Sequence, residues 1–192
     1  MRLGGRSLTG SELGCYSSHY RLWRALVDDL GADRYLILED DVVADWPFLE
    51  RLANAPPDEV PWPLLRLWFT IPAPTRKVHG PFFETYQVTE LLKHGYGAVA
   101  YLIDKRAAAK LVAALSEVVS PVDLAMEQAW RHGVRNLALF PFPVLHPMGL
   151  SQIGVERWND APKPLSMKLE RGARRLIDRM RRALWHWRGT VR

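Results

Sequence analysis

The sequence predicts an α/β protein, and three observations carry that expectation. Short apolar runs of strand length alternate with longer stretches whose apolar residues recur every three or four positions. Capping residues, glycines and prolines fall between the two kinds of segment. The 192 residues are 48% hydrophobic and 24% charged, a composition that supports a packed core and excludes a disordered chain.

Each element has its own signal. Thr9 and Glu12 have capping-box spacing, which opens a helix. Its predicted inner face is Leu13, Tyr16, Tyr20, Trp23, Val27 and Leu30, with Gly31 as the closing residue. Tyr35-Leu36-Ile37-Leu38, flanked by charge, reads as a buried strand that runs into Glu39-Asp40-Asp41. Asp45 before Trp46-Pro47 predicts an N-cap and a short helix to about Ala53. Residues 54–63 carry four prolines and read as loop. Leu64 to Thr70 reads as a second strand, and Pro72 to Pro81 as another loop, with three prolines. Residues 82–92 lean to extended structure around Phe83–Val88. Ala98 to Ile103 is a third buried strand, and Asp104 caps a helix striped by Ala108, Leu111, Val112 and Leu115. Pro121 starts a further helix to about His132, ended by Gly133, and Asn136 to Phe140 is a last strand. An irregular stretch runs to about Pro164. Beyond it, Leu169, Ala173, Leu176, Ile177, Met180, Leu184 and Trp187 mark one face of an amphipathic helix.

Charge divides the chain in two. Residues 163–192 hold ten Lys/Arg against Glu170 and Asp178, a local charge of +8. Residues 1–162 hold 16 bases and 19 acids, so that region stands at −3 within a total of +5. The expected organisation is therefore a domain over 1–162 and a basic helical tail over 163–192. A specific nucleic-acid binder would carry its basic charge on the body, so that class is excluded. The single cysteine, Cys15, excludes an internal disulfide and a cysteine zinc cluster, and reads as a small buried helix residue. No apolar run is long enough for a transmembrane helix, and the first residues lack a signal-peptide core.

Glu39-Asp40-Asp41 is the sharpest chemical feature. In open α/β sheets ligands bind at the edge where strands end. If the extended form continues, strand alternation points Glu39 and Asp41 to one side and Asp40 to the other. Such oxygens suit Mg²⁺ or Mn²⁺, ions often shared with a substrate's phosphates. The plain alternative is an acidic turn in water. His146 is a candidate imidazole ligand to the same ion or an ordinary loop histidine. Trp68 and Tyr96 have rings able to stack on a sugar or base, with core packing the better account of Trp68.

The residues Leu8 to His19, LTGSELGCYSSH, followed by Trp23 and by Leu36-Ile37-Leu38-Glu39-Asp40-Asp41, resemble glycosyltransferase family 25. This family comprises the lipopolysaccharide-type and collagen-type galactosyltransferases. Gly95 to Ile103 with Ala108 and Leu111 is similar to a second block of that family, Pro121-Val122-Asp123 to a third, and Pro143 to Ser151 to its closing segment. The likeness spans about residues 8–155 in order. It implies a GT-A-like, Rossmann-like fold and an inverting transferase that uses a nucleotide-diphospho-sugar, usually UDP-galactose. Glu39, Asp40 and Asp41 match the acidic metal and nucleotide motif, with Mn²⁺ or Mg²⁺ neutralising the leaving diphosphate. Inversion needs a base for the acceptor hydroxyl. Asp123 is the candidate, and the alternative is a carboxylate facing a helix dipole. His19, in the matched Ser-His pair, is placed close to the active site as a second catalytic candidate. Glu12, Ser18, Tyr96 and Gly97 are the substrate-binding candidates, although capping alone explains Glu12. The family's usual opening strand has no counterpart before Leu8. A domain without its first βα unit is therefore expected, with an inactive membrane- or partner-binding member as the alternative function.

The implied partners are a UDP-sugar and a cell-surface glycolipid or oligosaccharide acceptor. Residues 168–188 add a second expectation. Arginines on the polar face with Trp185 and Trp187 near the end suit an anionic membrane surface. The alternative is that the apolar stripe docks on the body. The expected location is cytoplasmic, peripheral at the inner face of the membrane.

Overall fold

The computed structural model describes residues 8–146 and 165–190. Helix α1 (Gly10–Asp28) leads to strand β1 (Arg34–Leu38), a short β2 (Val43–Ala44) and helix α2 (Trp46–Asn54). Strands β3 (Leu64–Arg66), β4 (Thr75–Phe82), β5 (Tyr86–Leu91) and β6 (Ala100–Asp104) follow. Then come α3 (Lys105–Ala114), α4 (Val122–Met126), α5 (Ala129–His132), β7 (Leu137–Phe140), β8 (Val144–Leu145) and α6 (Leu165–Thr190). Six strands form one sheet in the order β1-β6-β3-β7-β5-β4. Only β3 and β7 pair in parallel. The result is a mixed α/β fold with a mostly antiparallel sheet flanked by helices.

Both faces of the sheet are covered, which is why its central strands are mostly apolar, with Arg66 a buried exception. Leu64, Tyr101 and Ile103 point toward α1, α3 and α4, where Tyr16, Trp23, Leu26, Ala108 and Leu111 complete a core. Leu65, Leu102 and Leu137 point the other way, onto Phe48, Leu49 and Leu52 of α2. The period-2 alternation of β3 and β6 thus feeds two cores from one sheet.

The predicted caps form. Thr9 and Glu12 make the reciprocal box at the start of α1, and Asp45 and Asp104 accept the N–H groups of Phe48 and Ala107. Several expectations need correction. The inner face of α1 is Glu12, Tyr16, His19, Trp23 and Leu26, whereas Leu13 and Leu30 are exposed. Two polar residues occupy the stripe because each is hydrogen-bonded inside the fold. The helix closes at Asp29 rather than at Gly31, whose N–H is taken by the Asp29 carboxylate. Residues 75–82 form β4 rather than a loop. β4 lies at the sheet edge, and Pro81 falls in the register irregularity between His79 and Phe82, where a strand tolerates proline. The extended segment that pairs with it is Tyr86–Leu91, later than Phe83–Val88. The strand expected to reach Thr70 stops at Arg66. The helix expected over 121–132 is interrupted at Glu127 and Gln128, which separate α4 from α5.

Helix α6 rests on the body, but not by its apolar stripe. Arg182 lies over the Trp130 ring at 5.6 Å and contacts His94. Trp185 and His186 line the same cleft, with His186 Nδ1 3.7 Å from Glu90. The irregular stretch to Pro164 and the side chains of Lys168 and Leu169 lie outside the described residues.

Candidate active site

β1 delivers the acidic motif. The Glu39 N–H donates to Val99 O, so the chain stays beside β6 for one residue and then turns at Asp40-Asp41. It re-emerges as β2, which pairs with β8 through Val43–Leu145 and Ala44–Val144. That small ladder carries His146 back over the turn. Its Nε2 lies 3.2 Å from Asp41 and 3.9 Å from Glu39. Glu39, Asp41 and His146 thus offer three ligand atoms within 4.8 Å of one another. Asp40 is exposed and stands outside the group. The strand ends at Leu38 and residues 40 and 41 form a turn, so the turn and not strand alternation sets this placement.

Partial burial raises the Glu39 carboxyl above its ordinary range, and the Asp41 charge adds to it while His146 opposes. Among the described residues no lysine or arginine pairs with Glu39 or Asp41. Two hard oxygens and an imidazole, short of positive charge, fit a Mn²⁺- or Mg²⁺-type divalent cation.

His19 lies beside this group. Its ligand atom, that of Cys15 and a Glu39 oxygen also fall within 4.8 Å of one another. The Tyr101 hydroxyl meets His19 Nδ1 at 2.7 Å and receives the Trp23 N–H at 3.0 Å. The Tyr101 hydroxyl thus bridges the His19 and Trp23 rings and fixes the orientation of the imidazole. Burial lowers the His19 pKa to about 4, so the ring is neutral at physiological pH.

Asp123, in the first turn of α4, is held at both oxygens. Oδ1 accepts the Leu124 N–H at 2.7 Å and Oδ2 the Gly97 N–H at 3.3 Å. Gly97 and Tyr96 both have positive φ, +81° and +57°. This turn is fixed by residues the sequence reading passed over. Glu127 Oε1 accepts the N–H groups of Gly95 and Tyr96 at 3.0 and 2.7 Å, and Oε2 meets His94 at 2.7 Å. Arg66, 2% exposed, donates to Glu127 and to the carbonyls of Tyr96 and Gly97. Burial opposes the Glu127 charge, yet the His94 and Arg66 hydrogen bonds hold its pKa below the usual range. The signal in the sequence was Arg66 itself, a charge inside Leu64–Phe69.

The other candidates are placed as follows. Glu12 is buried, and its carboxylate caps Thr9. Ser18 is exposed and its hydroxyl donates to Gly14 of the same helix. The Tyr96 ring, half-buried, leans on His94. The Gly97 N–H serves Asp123. Trp68 packs edge-on against Phe142.

A mixed α/β sheet flanked by helices, with carboxylates at a strand end, is consistent with a Rossmann-like transferase fold. The profile of Glycosyltransferase family 25 (LPS biosynthesis protein) matches residues 2–126, and the chain belongs to that family. It is 32% identical over 116 residues to procollagen galactosyltransferase 1 of Danio rerio, covering 57% of this chain and 18% of the relative. It is 34% identical over 116 residues to the procollagen lysyl hydroxylase and glycosyltransferase of Acanthamoeba polyphaga mimivirus, covering 56% and 12%. Against the human inactive glycosyltransferase 25 family member 3 it is 40% identical over 67 residues, covering 33% and 11%. The matched region spans less than a fifth of the length of each of these relatives.

Proposed function

We propose that the chain is a metal-assisted, inverting glycosyltransferase. It takes a hexose from a UDP-sugar, galactose being the sugar named in the relatives, and passes it to a glycolipid acceptor of the lipopolysaccharide type. The observation that carries this reading is the convergence of Glu39, Asp41 and His146 at the end of β1 in a family 25 chain. These three residues would hold Mn²⁺ or Mg²⁺, whose chemistry when bound is to neutralise charge on the departing diphosphate. Asp123, oriented by Gly97, takes the proton of the acceptor hydroxyl as it attacks the anomeric carbon from the face opposite the diphosphate. His19, neutral, stands beside Glu39 without adding charge. Tyr96 and Gly97 act through the placement of Asp123, with the Tyr96 ring left as a sugar contact. Glu12 and Ser18 belong to the same helix as His19. A cytoplasmic chain, peripheral at the inner face of the membrane, would meet such an acceptor.

The test is calorimetric binding of UDP-galactose with Mn²⁺, followed by product formation on a lipooligosaccharide acceptor. Binding to the full chain, lost on chelation and reduced at least ~100-fold in kcat/KM by Asp41→Ala, is expected from loss of one metal ligand. Absence of any nucleotide-sugar binding overturns the reading. A second reading, a catalytically inactive member, is favoured by the likeness to an inactive relative. Metal-dependent turnover by the chain disposes of it.

A further inference from the structure

Helix α6 has two faces, and the fold uses the unexpected one. At about 100° per residue, Asp178, Arg182, Trp185 and His186 fall on one side. All four are half-buried, and the last three meet the body at Trp130, His94 and Glu90. Leu176, Met180, Leu184 and Trp187 fall on the opposite side, with Ile177 at its margin. There they remain 59%, 64%, 46% and 65% exposed, and Ile177 46%. An apolar arc of about 100° is wide enough to bury a helix against a core. Here it points away from the core. Scattered exposed apolar residues need no explanation, but a continuous stripe does.

We infer that this outward face of α6 is a docking surface for an anionic lipid bilayer. The charge pattern selects that occupant. Arg181 and Arg188 border the apolar arc on one side, Arg179 on the other, and all three are exposed. Cations flanking an apolar stripe that ends in a tryptophan match the interface between acyl chains and anionic headgroups. A protein groove would need carboxylates placed to meet three separate arginines. A free polyanion would leave the apolar arc in water. The polar contacts of Arg182 and His186 fix the helix to the body, so the arc is presented to a plane outside the molecule. No helix among the described residues is long and apolar enough to cross a membrane. Such docking deepens the peripheral placement proposed above, but it stands on the helix alone and not on turnover.

The experiment is co-sedimentation of the full chain with vesicles of phosphatidylcholine alone and of phosphatidylcholine with phosphatidylglycerol. Binding is expected only to the anionic vesicles and should weaken as salt rises. Met180→Ser with Trp187→Ser keeps every charge and removes apolar area. Arg181→Gln with Arg188→Gln does the reverse. Each pair should reduce anionic-vesicle binding about tenfold or more, with circular dichroism and the thermal midpoint unchanged. Equal binding to neutral vesicles, or no binding to either kind, overturns the inference. So does binding that survives the serine pair, which would indicate a purely electrostatic polyanion contact. A dimer in light scattering that the serine pair dissociates would also overturn it, since a second copy would then be the occupant. None of these readouts depends on transferase activity, so a failed transferase assay leaves the result standing.

Discussion

Glu127 and Glu39 are both carboxylates at the end of an element, α4 and β1, and the protein treats them in opposite ways: Glu127 holds the turn at residues 95 and 96, whereas Glu39 faces Asp41 and His146. Glu127 is buried, and its oxygens meet two backbone N–H groups, a guanidinium and an imidazole. Glu39 is half-exposed, near Asp41 and His146, and no arginine or lysine among the described residues neutralises it. The first cluster is satisfied by the chain itself and sets backbone geometry. The second is left short of positive charge, the condition under which an external cation contributes most. Asp123 joins the two. It is positioned by the Gly97 N–H on one side, and its charge is felt at Glu39 and His19 on the other.

The largest effect should come from opening the closed cluster. Arg66→Met removes the guanidinium from Glu127 and from two carbonyls, and should cost about 3–5 kcal/mol in chemical denaturation. For an isolated ion pair, Arg66→Met with Glu127→Leu would recover most of that loss. Here it should not, because the second change strips the partner from the Gly95 and Tyr96 N–H groups. Recovery of the double variant to within about 1 kcal/mol of the native chain would show that the cluster is an ordinary pair.

The turn that links the clusters gives an intermediate effect with an internal control. Gly97 and Gly133 both have positive φ, +81° and +70°. A Cβ on Gly133 meets nothing within 4 Å, whereas one on Gly97 would lie 2.7 Å from Thr70 Oγ1. Gly133→Ala should cost about 1–2 kcal/mol for the left-handed backbone. Gly97→Ala should cost clearly more by thermal or chemical unfolding and should also lower kcat, because the turn that aims Asp123 must shift. Equal destabilisation by the two substitutions would mean that the turn is loosely held.

The difference between the clusters also explains what was legible in the sequence. Local signals read well: the Thr9–Glu12 box, the Asp45 and Asp104 caps, and the apolar strands at Leu36 and Ala100. Edge geometry did not read, so the prolines around β4 suggested a loop, although an edge strand tolerates them. On α1, Leu13 and Leu30 looked like core, because periodicity cannot show that Glu12 and His19 would be hydrogen-bonded into the stripe. Long-range pairing was invisible as well. His146 reaches Asp41 only because β8 finds β2, and Arg66, His94 and Glu127 meet from three separate segments. The likeness to family 25 drew attention to Tyr96 and Gly97, but not to the buried residues that hold them.

The smallest effect should be the most informative about the open cluster. Glu39 has a folded pKa above its ordinary value of 4.5. Its contribution to stability is therefore full below that value and declines as pH rises through the folded pKa. Glu39→Gln should abolish that decline and, without added metal, raise stability near neutral pH by up to about 1 kcal/mol, a figure limited by solvent screening. Mn²⁺ should act in the opposite sense on the pair of proteins. It stabilises the native chain by mass action in proportion to its affinity, and should stabilise the glutamine variant less, since one ligand has lost its charge. The crossing of these two responses, measured by thermal unfolding across pH with and without Mn²⁺, is the signature of a carboxylate cluster built to be completed by a cation. A native pH profile in Glu39→Gln would show that Glu39 is not the source of the decline. An equal Mn²⁺ response in both proteins would remove Glu39 from the ligand set.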